Sequence, residues 1–482
     1  MACLIAAPCS GSGKTLLSLC LAALARERGL RLQPFKVGPD YLDPQLLSRV
    51  SGLACRNLDP LLCGEAWLER SFRWHGGRAD LTLVEGVMGL FDGRGPGSEG
   101  SSAAVAAQLD LPVVLVVEAS RQAGSLAALV RGFRDHGPPP VQLAGVVLNR
   151  VNSDRHRALL TEALATIAMP LLGVLPSDPA LALPSRHLGL HTPGEIDDLE
   201  QRTRAWAALA ERHLDLECLW PLLAPPDGSQ ASRDPIRGLL PTPPSPPQPL
   251  PIAVASDAAF HFRYPEATEL LEACGLAPQP WSPLADQPLP ADCAAVLLPG
   301  GYPELHGGAL AASRRSLASL RDAVATGLPI LAECGGLLLL GQELIDADGV
   351  PQPMAGVLPF RAAPGALSLG YRQATALADS LVLRRGEALT GHEFHRWQLQ
   401  PLATGAPLWQ VEGWGSAPRA EGWTTANVHA SWLHLHWAGC PVIPWRLAAA
   451  ARRAGPPPTN GASSSPPKAV PAPPSANAGG CW

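Results

Sequence analysis

The sequence has no apolar run approaching the ~18 residues that a membrane-spanning helix needs, so no membrane partner is expected. It also lacks a basic n-region and a cleavage site at its start. The apolar opening runs straight into a glycine-rich turn, and no secretion signal is read there. Charge is scarce, at 16% of residues, and the net charge is −5, which argues against a nucleic-acid binder working through bulk electrostatics. The eleven cysteines include no C-x-x-C pair. Without a secretion signal they read as reduced thiols in a cytoplasmic protein rather than as a disulfide framework. Hydrophobic content is ordinary at 46%, and 482 residues imply two or three domains rather than one.

What is present begins with Ala7–Thr15, APCSGSGKT. A short apolar run (Cys3–Ala6) precedes it, and a helical pattern (Leu16–Arg28) follows. Strand, glycine-rich turn, Lys-Thr and helix form the arrangement that cradles a nucleotide phosphate on backbone N–H groups. Gly11 and Gly13 shape the turn, Lys14 reaches the β/γ-phosphates, and the Thr15 hydroxyl is placed to ligate Mg²⁺. The pattern asks for glycine at position 8, where this chain has Pro8.

Residues 1–224 alternate strands and helices. Nearly continuous apolar runs at Leu81–Val87, Pro112–Glu118, Leu143–Leu148 and Leu171–Leu175, with a weaker one at Leu32–Val37 interrupted by Gln33 and Lys36, suit a parallel sheet buried on both faces. The expectation is a doubly wound α/β domain with ligands at the carboxyl ends of its strands. Two motifs fall there: KVGPDYLDP after the second strand and VEGVMGLFDG after the third. Glu85 and Asp40 are the candidate acidic partners for Mg²⁺, whereas Asp43 before Pro44 reads as turn chemistry. Asn149, with Arg150 after it, is a weaker candidate for reading an adenine edge. Residues 225–251 are proline-rich and read as a linker, and 456–482 as a disordered Pro/Ala/Ser tail.

Residues 252–455 form a second α/β block, with strands expected at Ile252–Asp257, Ala294–Pro299 and Pro329–Glu333. Its chemistry centres on ILAECGGLLLLG. A cysteine between a strand and a Gly-Gly helix start sits on a nucleophile elbow, where the helix N-terminus is expected to lower the thiol pKa. Cys334 is the candidate nucleophile; Cys3, Cys20, Cys274 and Cys293 read as core. Gly301, in LLPGGYPEL, and Gly335 could donate the N–H groups of an oxyanion hole. His434 and His436, in ASWLHLHW, alternate as on a strand and offer a base; a metal pair there lacks a third ligand candidate. GHEFH (Gly391–His395) is one residue short of a zinc motif and reads as a substrate or interdomain surface.

A thiol–His site and a Mg²⁺–nucleotide site in one chain imply a division of labour. One half releases ammonia from an amide. The other phosphorylates a carboxylate, so that ammonia can displace phosphate.

These motifs carry a resemblance, from residue 3 to about 440, to the cobyrinic acid a,c-diamide synthase family. It rests on APCSGSGKT, KVGPDYLDP, VEGVMGLFDG, LPSRHLGL (Leu183–Leu190), LLPGGYPEL, ILAECGGLLLLG, GHEFHRW and ASWLHLHW, in family order. The resemblance implies a dethiobiotin-synthetase-like ATPase domain joined to a class I glutamine amidotransferase-like domain. It implies ATP and L-glutamine as co-substrates with Mg²⁺, and a corrinoid whose a and c acetates become amides. Lys14 and Thr15 would then handle phosphates and Mg²⁺, with Glu85 and Asp40 as acidic partners and Asp92 in the loop near the corrinoid carboxylate. Cys334 would form the γ-glutamyl thioester and His434 act as its base. Class I enzymes often carry Glu two residues after that His; here His436 stands there, and Trp432 replaces the usual Tyr. The resemblance leaves room for a homodimer. Cobyric acid synthase, a synthase acting on a nickel or metal-free tetrapyrrole, a partitioning-type ATPase switch and a non-catalytic corrinoid sensor remain as alternatives.

Overall fold

In the computed structural model the described residues are 2–178, 183, 185, 186, 189–229, 233–240, 248–401 and 406–455. The expected tail, 456–482, and part of LPSRHLGL lie outside them. The chain divides into two compact units, Met1–Gly238 and Leu239–Trp482.

The first unit is built on a seven-stranded sheet in the order β3-β2-β4-β1-β5-β6-β7. Its strands are β1 (Cys3–Ala6), β2 (Leu32–Val37), β3 (Arg56–Leu58), β4 (Leu81–Glu85), β5 (Val113–Glu118), β6 (Leu143–Asn149) and β7 (Leu171–Leu175), all parallel. Alternate side chains of β1 enter different cores. Cys3 and Ile5 pack with the helix Lys14–Glu27 and Trp206, while Ala2, Leu4 and Ala6 pack with Phe35 and Phe72. Burial on both faces explains why these strands read as continuous apolar runs. β1 sits at the centre, so the turn after it opens at the carboxyl edge between β4 and β5. A short ribbon, β8 (Ser185–Arg186) with β9 (Gly189–Leu190), follows.

The described parts of the region read as a linker, 225–251, pack more than their composition suggests. Pro226 and Gly228 lie against Gly76 and Gly77, Ile236 is buried, and β10 already begins at Leu250.

The second unit has a six-stranded sheet in the order β11-β10-β12-β13-β21-β20. Its strands are β10 (Leu250–Ala255), β11 (Leu276–Trp281), β12 (Ala295–Leu298), β13 (Ile330–Glu333), β20 (Trp423–Thr424) and β21 (Val428–Ser431). Only the β20–β21 pair is antiparallel. β11 carries two prolines and lies at the edge, where missing N–H donors are tolerated.

A second sheet in this unit was not legible in the sequence. It comprises β14 (Glu343–Ile345), β15 (Pro351–Pro353), β16 (Phe360–Ala376), β17 (Ala388–Pro401), β18 (Trp409–Gly413) and β19 (Ser416–Glu421). β16 and β17 form a long antiparallel hairpin that carries GHEFHRW. Its mixed, largely exposed pattern lacks the apolar run that marks a strand.

Candidate active sites

The phosphate loop is shaped by two left-handed glycines, Gly11 (φ +80°) and Gly13 (φ +113°). Gly13 is required twice, because a Cβ there would lie 2.3 Å from Asn149 Nδ2. That amide donates to Ser12 O at 2.9 Å. Asn149 therefore pins the loop with one amide N–H, while the residue also lines the cavity beside it. Lys14 is buried and donates to Met88 O at 2.6 Å. Burial and the nearby Lys36 charge hold its pKa below the ordinary value.

Glu85 leaves the end of β4 fully buried, and the Thr15 hydroxyl donates to its Oε1 at 2.9 Å. The same hydroxyl lies 3.4 Å from Asp43 Oδ2. Lys36 completes the cluster, with Nζ 2.5 Å from Asp43 Oδ2, 2.7 Å from Glu85 Oε1 and 3.7 Å from Asp40 Oδ2. Burial works against the Lys36 charge, but Asp43, Glu85 and Asp40 outweigh it and raise its pKa well above the ordinary value. Lys36 was read as a flaw in a strand. A lysine inside a buried strand needs acids, and that was the overlooked signal.

The geometry adds Asp43 to the expected acids and keeps Asp40 at the edge of the same cavity. Asp40 Oδ1 accepts from the N–H groups of Leu42 and Asp43, at 2.8 and 3.2 Å, and so caps the turn into the helix Leu42–Ser51. Asp43, read as turn chemistry, is the one whose carboxylate meets Thr15 and Lys36. Asp92 is exposed, and its Oδ2 accepts from Gly89 N at 2.8 Å. A cavity of about 870 Å³ is lined by Gly11, Gly13, Lys14, Thr15, Lys36 and Asp43 among others, large enough for a nucleotide. Thr15, Glu85 and Asp43 bring hard oxygens together, the donor chemistry that suits Mg²⁺ held by one or two carboxylates and substrate phosphates.

In the second unit, β13 runs into Cys334, whose backbone is strained at φ +46°, ψ −108°, before the helix Gly335–Leu340. The following glycines are steric necessities. A Cβ at 335 would lie 2.9 Å from Gly301 N, and one at 336 would lie 2.1 Å from Leu298 O. The first of these contacts brings Gly301 against the Cys334 elbow. His434 reaches the same place, because a Cβ on Gly300 would lie 2.4 Å from His434 Cε1. His434 does not sit on a strand as expected: β21 ends at Ser431, and the residue is held by a backbone pair with His392, at 2.9 and 3.0 Å.

The thiol expectation is also corrected. Burial, aided by Glu304 and Glu333, pushes the Cys334 pKa well above the ordinary value, and the Gly335 N–H offsets this only in part. Burial, with His392 and His395 nearby, lowers His434 to about 3. At neutral pH the resting pair is therefore a thiol and a neutral imidazole.

Part of GHEFHRW lies against this site. Phe394 O lies 4.0 Å from Cys334 Sγ, and His395 stacks on Trp432 at 3.9 Å. Glu393, fully buried, is held by Arg372 (2.7 Å), Ser368 (2.9 Å) and Arg419. Burial opposes its charge, but His395 and Arg419 hold it well below the usual carboxylate range. Glu393 escaped sequence reasoning because its arginines lie on other strands.

The two units thus define a P-loop nucleotide-binding domain and a glutamine amidotransferase domain in one chain. Residues 3–190 match the model of the CobQ/CobB/MinD/ParA nucleotide binding domain, and residues 251–441 that of the CobB/CobQ-like glutamine amidotransferase domain. Cobyrinate a,c-diamide synthase of Gloeobacter violaceus is 45% identical over 91% of this chain and 94% of its own length. Its Synechococcus counterpart is 42% identical over 92% of this chain and 96% of its own. Hydrogenobyrinate a,c-diamide synthase of Streptomyces coelicolor is 42% identical over 91% and 94%. The chain belongs to the cobyrinate a,c-diamide synthase family. Among the described residues no helix is long and apolar enough to cross a membrane.

Proposed function

We propose that the chain converts the a- and c-acetate carboxylates of cobyrinic acid to amides, with ATP and glutamine, in cobalamin biosynthesis. The observation that carries this reading is one chain holding both a strained cysteine elbow beside a histidine and a Lys-Thr phosphate loop beside buried acids.

In the amidotransferase half, Cys334 Sγ attacks the side-chain carbonyl of glutamine. The resting thiol is protonated, so His434 accepts its proton as the C–S bond forms and returns it to the leaving nitrogen, which departs as ammonia. The N–H groups of Gly301 and Gly335 receive the charge on the carbonyl oxygen. Water then cleaves the thioester to glutamate and restores the thiol.

In the P-loop half, a corrinoid carboxylate oxygen attacks the γ-phosphorus of ATP and ADP leaves. Ammonia adds to the acyl-phosphate carbonyl and phosphate is expelled. Lys14 gives up the Met88 carbonyl for the phosphates, and the Lys36 ammonium lies beside Glu85 and Asp43 to offset charge developing on the transferring group. Thr15, Glu85 and Asp43, with Asp40 nearby, would hold Mg²⁺. Bound there, Mg²⁺ would neutralise charge on the β- and γ-phosphates. Asp92 is the candidate contact for the corrinoid carboxylate.

Hydrogenobyrinate is the second reading, favoured by the 42% identity to the Streptomyces coelicolor enzyme. Incubation with each acid, ATP, Mg²⁺ and glutamine, followed by mass spectrometry, tests both. Two carboxyl-to-amide conversions on cobyrinic acid support the first reading. Conversion of the metal-free acid alone replaces it with the second, and none on either acid refutes both.

A further inference from the structure

His436 occupies the place two residues beyond the candidate base, and its surroundings give it a partner. It is almost fully buried, and its Nδ1 accepts from Ala438 N at 3.3 Å. With Nδ1 used as an acceptor, the imidazole proton sits on Nε2. That nitrogen lies 3.6 Å from Oε2 of Glu266, which is fully buried. The Tyr264 ring packs on His436 with centroids 4.4 Å apart. Glu266 stands in the first turn of the helix Pro265–Ala273, an end that favours a carboxylate. At 3.6 Å the two groups do not share a hydrogen bond, but a buried carboxylate facing an imidazole nitrogen at that distance is an electrostatic partner that favours one orientation of the ring.

The segment carrying Glu266 also reaches the base itself. The N–H groups of His261 and Phe262 both donate to Gly300 O, at 3.1 and 3.0 Å. The Phe262 ring lies 6.2 Å from His434. Gly300, in turn, is the residue against which the His434 ring packs. One short segment, His261–Glu266, therefore grips the strand end beside the elbow, the wall of the base and the residue two beyond it. His436 O further accepts from Gly439 N at 2.9 Å, which closes the turn after the base.

We propose that Glu266, acting through His436, is a positioning residue for His434 in the glutaminase reaction. The pair pins the chain just past the base, so that the His434 ring stays against Gly300 and within reach of Cys334. This inference rests on the reading of Cys334 and His434 as the glutaminase pair.

The test uses the full chain with Glu266→Gln, Glu266→Asp and His436→Gln. Glutaminase kcat and KM, the pH profile of kcat, and ammonia-dependent amidation are measured for each. Glu266→Gln and His436→Gln should lower kcat by roughly 10- to 100-fold, shift its pH profile, and leave both KM for glutamine and the ammonia-dependent rate close to wild type. Glu266→Asp should recover part of the loss. An unchanged kcat and pH profile would overturn the proposal, as would an equal loss of the ammonia-dependent rate, which would mark a general structural defect. Should Glu266→Gln not fold, His436→Gln decides on the same criteria. A wild-type protein without glutaminase would overturn the underlying reading, and this inference with it.

Discussion

Substituting Gly300 by alanine offers a clean perturbation of the thiol site. The position is not in a left-handed conformation, so alanine costs the backbone little. The added Cβ would meet His434 Cε1 at 2.4 Å, a full ångström inside ordinary contact, with Nδ1 at 3.2 Å and Phe262 Cβ at 3.3 Å. Phe262 is buried and the loop carrying His434 is tied to His392, so the imidazole is the group that must give way. Displacing a catalytic base by about an ångström costs ~10²-fold, or about 2.7 kcal/mol of transition-state stabilisation. Glutaminase kcat/KM should fall by that factor, measured as glutamate release. Ammonia-dependent amidation should stay within about twofold, because the change does not touch the phosphate loop. A Gly300→Ala protein with wild-type glutaminase would refute the placement of His434 as the base.

Three further outcomes are expected. Asp43→Asn should lower ATP-dependent turnover by roughly 10²-fold, whereas Asp40→Ala should cost less turnover and also lose a helix-start cap worth about 1 kcal/mol in thermal stability; equal turnover losses would refute the more direct role of Asp43. Asn149→Ala should leave the Ser12 carbonyl without its amide donor and raise KM for ATP by roughly tenfold, as read from initial-rate kinetics; an unchanged KM would refute the loop-pinning account. Burial raises the Glu333 carboxyl to about 8 and that of Glu421 to about 7. Each group binds its proton more tightly folded than unfolded, so their stabilisation is complete below the ordinary carboxylate range and is lost as pH rises through 7 to 8. Glu333→Gln should therefore gain stability over wild type as pH is raised from 5 to 9, followed by calorimetry; a pH-independent difference would contradict this.

The parallel strands of the first unit were legible because burial on both faces leaves an unbroken apolar run, and the phosphate loop because its glycines and Lys-Thr are contiguous. The elbow at Cys334 was legible for the same local reason. What escaped were relationships that only folding makes. Lys36 and Asp43 each looked like local accidents, a flaw in a strand and a turn acid, until the sheet set them beside Glu85. The β16–β17 hairpin escaped because its faces are largely solvated. Glu266 and His436 stand 170 positions apart and share no pattern. The helix N-terminus at Cys334 suggested a thiolate, but desolvation of a buried sulfur outweighs one N–H donor.

The central claim is that ammonia made at Cys334 is what the P-loop half attaches to the corrinoid. Glutamine labelled with ¹⁵N in its side-chain amide, supplied with ATP and cobyrinic acid, tests it through the mass of the product. The account predicts two ¹⁵N amides with wild type, none from glutamine with Cys334→Ala, and amidation of that variant restored by added ammonia. Two ¹⁵N amides from the Cys334→Ala protein would contradict it.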